Sequence, residues 1–149
     1  MDLNDAFQNV NFVGLDTSPF IYFVERNYVY VDIMREVFKR LTNGNFQAYS
    51  SVITLTEVLV QPLRQNNQNL ADKYRHLLYN GVNFKLLPIN LFVAETAARL
   101  RAKYNLRTPD ALQISTALEN GCEAFLCNDK GLKPITELKV LILDELTLS

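Results

Sequence analysis

Residues 108–131, T-P-D-A-L-Q-I-S-T-A-L-E-N-G-C-E-A-F-L-C-N-D-K-G, contain a helix, a tight turn, a strand and a polar loop. Thr108 is suited to cap the helix, and Pro109 to occupy its first position. Gly121 is suited to the left-handed position that ends a helix. Residues 124–127 form a short apolar run, which is typical of a strand buried on both faces. The order helix, turn, buried strand predicts an α/β fold.

Two aspartates lie at the ends of these elements. Asp110 falls in the first turn of the helix, where the positive end of the helix macrodipole favours a carboxylate. Asp129 falls just beyond the carboxyl end of the strand. Because binding sites in open α/β sheets form outside the carboxyl ends of the strands, both aspartates are candidate site residues.

The rest of the chain alternates between apolar strand patterns and helical patterns. Further strands are predicted over residues 11–15, 46–52, 84–88 and 140–143, and helices over residues 20–24, 31–41, 70–79 and 91–104 and from about residue 54. This alternation predicts a three-layer α/β/α architecture with a mostly parallel central sheet of about five strands. We expect one domain over residues 1–149, with the mostly polar residues 1–10 as a short N-terminal extension.

The net charge and the cysteine content limit the kinds of partner and compartment that suit this protein. The net charge of −1 over 149 residues gives no general attraction for nucleic acid, so such a partner would need a local basic patch or a metal ion. The two cysteines, Cys122 and Cys127, fit no zinc spacing, and a disulfide framework would need more. This cysteine usage, with no signal peptide and no membrane-spanning run, favours a cytoplasmic protein that has no membrane partner.

Two further acidic residues extend the candidate site. Asp16 directly follows the first predicted strand, and Glu57 lies in the first turn predicted for the helix after the second strand. A parallel sheet could bring these two carboxylates to the same edge as Asp110 and Asp129. Clustered carboxylates repel one another unless protons or a cation relieve the repulsion, and hard cations such as Mg²⁺ or Mn²⁺ suit an all-oxygen site.

Each of these residues also has a purely structural interpretation. Residues 54–57 have the pattern of a capping box, which alone would explain Glu57. Asp110 could simply complement a helix macrodipole, and an aspartate after a strand can be an ordinary loop residue. Asp144 also follows a predicted strand, so position alone does not separate a ligand from a loop residue.

Four segments resemble the motifs of the PIN domain family. They are L-D-T-S-P-F-I-Y at 15–22, T-L-T-E-V at 54–58, R-T-P-D-A-L-Q-I-S-T-A-L at 107–118 and F-L-C-N-D-K-G-L at 125–132. The last two are specific, whereas the first two would be weak alone. The similarity runs in order from about residue 12 to residue 143, and it is strongest to the toxin ribonucleases of VapBC-type toxin–antitoxin pairs.

The resemblance implies a metal-dependent ribonuclease, an endonuclease that hydrolyses RNA phosphodiester bonds with one or two Mg²⁺ or Mn²⁺ ions. It also implies a small antitoxin partner and a homodimer. Asp144 has no counterpart among the family's acidic residues, so we expect it to be structural. The family's catalytic and metal-binding carboxylates carry over to Asp16, Glu57, Asp110 and Asp129, and RNA contacts are expected at Ser18, Asn128 and Lys130.

The sequence departs from the family at Cys127, where a threonine is common. A thiol bonds water or carboxylate more weakly than a hydroxyl does, which leaves open a PIN-fold module that binds RNA or protein without cleaving. An aspartyl-phosphate phosphotransferase is a further alternative, but its second aspartate would be expected at position 18, which is serine. Arg107, Lys130 and Lys133 flank the acidic motifs and are candidate phosphate contacts.

Overall fold

The short apolar segments form the strands of one parallel sheet. In the computed structural model, which describes residues 1–148, they are β1 (Phe12–Leu15), β2 (Gln47–Ser51), β3 (Phe84–Leu87), β4 (Ala124–Cys127) and β5 (Lys139–Ile142). Their order across the sheet is β3-β2-β1-β4-β5, and all neighbouring strands run parallel. Parallel strands need crossover connections, and the helical segments provide them.

Helices cover both faces of the sheet. They are α1 (Leu3–Ala6), α2 (Thr17–Val24), α3 (Val31–Thr42), α4 (Val52–Arg64), α5 (Gln68–Asn80), α6 (Leu91–Tyr104) and α7 (Thr108–Glu119), with 3₁₀ turns at Lys130–Leu132 and Leu143–Glu145. The predicted α/β/α architecture with a five-stranded parallel sheet is therefore confirmed. No helix within residues 1–148 is long and apolar enough to cross a membrane.

Alternate residues of β1, β2, β4 and β5 enter two separate cores. On β1, Val13 and Leu15 face the core that α1 to α5 cover, whereas Phe12 packs against the core under α6 and α7. A Cβ on Gly14 would lie 2.6 Å from the Cβ of Ala117. Glycine at this position therefore lets α7 pack directly against the central strand, which brings the start of α7 to the sheet edge that holds the candidate site.

The first ten residues contribute to the core. Leu3 and Ala6 of α1 have no exposed surface, and the ammonium group of Met1 donates to the carbonyl oxygen of Glu145 at 3.1 Å. Asp2 forms an isolated parallel bridge with Thr147. The segment is mostly polar, yet its few apolar side chains are buried, so it packs onto the domain as part of the fold.

Candidate active site

The strand order places a crevice between β1 and β4. The chain moves outward from β1 through β2 to β3, then returns to the other side of β1 to form β4 and β5. Ligands in such sheets bind where this direction reverses, outside the carboxyl ends of the strands. Asp16 directly follows β1, and Asp129 lies two residues after β4, so these two aspartates flank the crevice.

Asp16 lies at the centre of the acidic cluster. It caps α2, and its Oδ1 accepts a hydrogen bond from the Thr17 backbone N–H at 2.9 Å. Burial raises the pKa of Asp16 to about 6, with further upward shifts from the charges of Asp110, Glu57 and Asp129, while the bond from Thr17 opposes them. The other three predicted carboxylates therefore lie within electrostatic range of Asp16.

Glu57 is held by a hydrogen bond from the start of α2 rather than by a capping box. Helix α4 begins at Val52, and Ser51 caps it by accepting from the Ile53 N–H at 3.1 Å. The helix begins as soon as β2 ends, so Glu57 lies in its second turn and the capping-box interpretation is wrong. Instead, Glu57 Oε1 accepts a hydrogen bond from the Thr17 hydroxyl at 2.6 Å.

Gln113 of α7 is the hub of a buried polar network under these carboxylates. Its amide Nε2 lies 2.8 Å from the Thr54 hydroxyl, 3.1 Å from the Thr17 hydroxyl and 3.4 Å from Asp16 Oδ1. Its Oε1 accepts from the Ser51 hydroxyl at 2.6 Å. None of these four partners belongs to α7. Gln113 therefore connects α7 with the residues at and just after the ends of β1 and β2.

The direction of each hydroxyl bond in this network follows from its neighbours. Ser50 donates its only hydroxyl proton to the Leu15 carbonyl at 2.7 Å. The 2.7 Å contact between Ser50 and Thr54 must therefore use the Thr54 proton, which leaves Thr54 as an acceptor for Gln113. Thr17 likewise accepts from Gln113 and donates to Glu57. The amide of Gln113 thus sets the orientation of the hydroxyl that holds Glu57.

The sequence motifs alone do not indicate this network. Thr17, Ser51, Thr54 and Gln113 are all at most 9% exposed. The sequence did contain one indication of it. Gln113 lies near Ala111 and Ile114, on the side of α7 that the helical periodicity predicts to be buried. A buried amide needs partners, so its presence there indicated a polar cluster.

Asp110 is paired with an arginine from its own helix start. Arg107 Nε donates to Asp110 Oδ2 at 3.0 Å and Nη2 donates to Oδ1 at 3.3 Å. Asp110 and, to a lesser degree, Asp129 and Glu57 raise the pKa of Arg107. Arg107 is also the N-cap residue of α7, so the prediction that Thr108 caps this helix is wrong, because the helix begins one residue earlier.

Asn128 and Asp129 form the loop after β4, and hydrogen bonds to residues before and after this loop hold it in place. Asp129 is exposed and caps the following 3₁₀ turn, with Oδ1 accepting from the Gly131 N–H at 2.8 Å. Asn128 donates to the Tyr22 hydroxyl at 3.1 Å and accepts from the Asp144 N–H at 2.9 Å. These bonds assign Asn128 a part in holding the loop, and its contact with RNA stays a prediction.

The basic residues near the site are all paired with carboxylates. Lys130 Nζ lies 3.5 Å from Asp144 Oδ2, and Lys133 Nζ lies 2.6 Å from Glu145 Oε2. Asp144 also accepts from the Tyr30 hydroxyl at 2.8 Å. Asp144 therefore ties Tyr30, the residue before α3, to the Lys130 turn, in line with the structural role expected for it. Ser18 is half-buried in the first turn of α2, and its RNA contact, like that of Lys130, stays a prediction.

Cys127 lies beneath Asp129. It is completely buried, and its Sγ lies 3.9 Å from the carbonyl oxygen of Asp129. Burial, with small additions from the charges of Asp16, Asp129 and Asp110, raises the pKa of Cys127 to about 12. The thiol is therefore neutral at physiological pH, and it supplies no thiolate ligand to a cation in the crevice.

The donor set suits a hard divalent cation. Within residues 1–148, Asp16 Oδ2, Glu57 Oε2 and Asp129 Oδ2 accept no hydrogen bond, while the other oxygen of each carboxylate is held by the protein. The raised pKa of Asp16 reflects burial and repulsion that a cation would relieve. The cluster is not tightly preassembled, since no three His, Cys, Asp or Glu side chains of the described chain converge as a ready metal-ligand group.

Comparison with known proteins identifies the family. The model of the PIN domain matches residues 13–138. The chain belongs to the PIN domain family. Over 101 residues it is also 34% identical to "Ribonuclease VapC1" of Rickettsia felis, an alignment that covers 64% of this chain and 75% of that protein. The resemblance to VapC-type proteins is therefore confirmed.

Solved structures show the same fold. A toxin–antitoxin complex from Klebsiella pneumoniae aligns with a TM-score of 0.66 at 21% identity, over 89% of this chain and 97% of that chain. VapBC2 from Rickettsia felis, bound to a DNA fragment from its promoter, aligns with a TM-score of 0.68 at 18% identity, over 88% and 98%. At these identities the match concerns the PIN fold.

Proposed function

We propose that this protein is a metal-dependent ribonuclease, an endonuclease that hydrolyses RNA and acts as the toxin of a toxin–antitoxin pair. The observation that supports it most is the set of four carboxylates from the four PIN motifs around one crevice, with Asp16 raised in pKa to about 6 by burial and by the other three. A relative at 34% identity carries the name ribonuclease, which supports the reaction class.

The carboxylates would hold Mg²⁺ or Mn²⁺ through the oxygens that the protein leaves without a hydrogen bond. Such a cation neutralises phosphate charge and makes a water a better nucleophile at neutral pH. The backbone N–H of Thr17 holds one oxygen of Asp16, and the Thr17 hydroxyl, oriented by Gln113, holds one oxygen of Glu57. Lys130, 63% exposed, extends from the loop after β4 where a phosphate could reach it.

Cleavage of a circular single-stranded RNA across a titration of Mg²⁺ and Mn²⁺ tests the proposal. A circle has no ends, so only an endonuclease can open it. We expect linear products with either cation and none after chelation with EDTA. Binding of RNA without cleavage at any cation concentration would instead identify a non-catalytic PIN-fold module, and cleavage in EDTA would exclude a metal-dependent reaction.

We propose an antitoxin as the protein partner, seated in an open groove of about 760 Å³ between α2, α3 and α5. Phe23, Val24 and Leu77 make part of its wall apolar, and Arg26 and Lys73 add cations that form no ion pair within residues 1–148. An amphipathic, acidic segment would complement this lining. The groove lies at the C-terminal end of α2, whose N-terminus carries Asp16, so one partner could follow this helix to the crevice.

We also propose a cytoplasmic homodimer. Exposed apolar side chains at Val52, Val60 and Leu63 follow one side of α4, which supports a protein contact there. Both cysteines are free and buried, in agreement with a reducing compartment. Light scattering after gel filtration should give twice the mass of the chain, and a concentration-independent monomer mass would contradict the dimer.

A further inference from the structure

Among the four carboxylates, Asp110 is the one whose two oxygens both accept hydrogen bonds within residues 1–148, and Arg107 donates both bonds. Its guanidinium contacts both oxygens of Asp110, at 3.0 and 3.3 Å. Asp16, Glu57 and Asp129 each keep one oxygen that accepts no hydrogen bond within residues 1–148. A cation that used Asp110 as a ligand would therefore meet a positive charge already bound to the same atoms.

The geometry makes this pairing easy to reverse. The Arg107 side chain is 77% exposed, whereas the Asp110 side chain is only 14% exposed. Within residues 1–148 the guanidinium bonds nothing except Asp110. An exposed ion pair contributes little to stability, so the arginine can turn into solvent at small cost, while Asp110 stays at the start of α7.

We propose that Arg107 is a built-in competitor of the divalent cation: it binds Asp110 in the metal-free protein and leaves when the cation binds. This inference rests on the proposed metal-dependent function. Arg107 then keeps the Asp110 charge compensated without metal, and it lowers the affinity of the site for the cation. A divalent charge surrounded by several carboxylates outcompetes a single guanidinium that is mostly in water.

Calorimetric titration of the full chain with Mn²⁺ tests the competition. We expect Arg107→Gln to bind Mn²⁺ about 3- to 10-fold more tightly than the parent, since the variant removes one exposed ion pair and one nearby positive charge. Arg107→Lys, which keeps the charge but loses the two-pronged contact, should lie between them. Arg99→Gln is the matched control, because Arg99 is 71% exposed and pairs with Glu95 on α6.

Thermal unfolding gives a second measure that does not depend on catalysis. Without metal, Arg107→Gln should melt slightly below the parent, because Asp110 loses the ion-pair partner it has within the described chain. At one fixed Mn²⁺ concentration its melting temperature should rise more than that of the parent, because tighter binding to the folded state stabilises more. Arg99→Gln should match the parent in the size of its Mn²⁺ response.

The outcomes separate this inference from the proposed function. Equal Mn²⁺ affinity in the parent and Arg107→Gln would overturn the competition and leave the metal-dependent ribonuclease intact. Weaker binding by Arg107→Gln would also overturn it, since Arg107 would then assist the cation. Absence of any Mn²⁺ or Mg²⁺ binding in the parent and all variants would overturn both the metal site and the competition.

Discussion

The floor and the rim of the candidate site are held by different forces. The floor consists of Thr17, Ser51, Thr54 and Gln113, which are buried and joined by hydrogen bonds of 2.6 to 3.1 Å. The rim consists of Arg107, Asp129 and Lys130, whose polar groups face solvent and form exposed ion pairs or local turns. Buried polar networks are costly to break, whereas exposed pairs are not. The floor is therefore rigid before a ligand arrives, and the rim can rearrange.

The largest effect is expected on activity at Asp110, where floor and rim meet. Asp110→Asn keeps the shape of the side chain but loses the charge that holds a cation, so cleavage should fall at least about 100-fold, as a loss of several kcal/mol would give. The free energy of unfolding should change by less than about 1 kcal/mol. The lost ion pair with Arg107 is partly exposed, and Asp16 is no longer repelled by a charge on residue 110.

Cleavage rates and melting temperatures of the purified variant check this prediction. Asp72→Asn is the control, since Asp72 also pairs with an arginine three residues away on a helix, Arg75 at 3.0 Å. It should retain full activity. A large loss of melting temperature in Asp110→Asn would make Asp110 mainly a structural residue, and full activity would remove it from the site.

The next largest effect is expected on stability in the floor. Gln113→Leu has similar volume but leaves Ser51, Thr54 and Thr17 without their shared partner, so the free energy of unfolding should fall by about 2–4 kcal/mol. Urea denaturation measures the loss. Gln61→Leu is the matched control, because Gln61 is exposed on α4, and it should change stability by less than about 0.5 kcal/mol. Equal losses for both variants would show that the floor network adds nothing.

A pH-dependent effect is expected at Asp16. Its pKa is raised from 3.8 to about 6 in the folded protein. The folded state therefore holds this proton more tightly than the unfolded state, and ionisation destabilises the fold as pH rises through this range. Below pH 3.8 the penalty is absent, and above about pH 6 it is fully present. A rise in pKa from 3.8 to about 6 lowers the free energy of unfolding at neutral pH by at most about 3 kcal/mol.

Asp16→Asn removes that ionisation and keeps a cap for α2. In EDTA near neutral pH the variant should be more stable than the parent by up to about 3 kcal/mol, and the gain should vanish in acid. Denaturation curves at several pH values measure it. Asp2→Asn, which changes the aspartate that caps α1, should give a small and pH-independent difference. A gain of constant size at all pH values would show that the ionisation of Asp16 is not its source.

The smallest effect is expected at Cys127, between floor and rim. Cys127→Thr supplies a hydroxyl beneath Asp129, whose carbonyl oxygen already lies 3.9 Å from the thiol. We expect Mg²⁺-dependent cleavage to rise a few-fold, provided the hydroxyl finds a partner, since an unpaired buried hydroxyl costs roughly 1–3 kcal/mol. Asp129→Asn is the comparison and should lower cleavage about as strongly as Asp110→Asn. Equal rates for Cys127→Thr and the parent on one RNA would show that the hydroxyl has no role.

Local sequence determined most of the secondary structure. The predicted bounds of α6 and β4 match the structure, because a buried face at helical spacing and a run of four apolar residues leave little freedom. The left-handed turn after α7 also forms as predicted, with φ of 78° at Gly121. Helix starts were less predictable. Thr54 and Thr108 have the chemistry of caps, yet Ser51 and Arg107 occupy those positions.

The sequence by itself thus determined the α/β/α class and the family, and it predicted the four carboxylates of the candidate site. Only the tertiary structure decided which partners hold those carboxylates. Gln113 contacts residues 59 to 97 positions away along the chain, and no local pattern specifies which hydroxyls a folded sheet brings to it. The pairing of Arg107 with Asp110 is local in sequence. Its consequence for a cation depends on Asp16, Glu57 and Asp129, which only the sheet brings near, because parallel strands place their carboxyl ends at one edge.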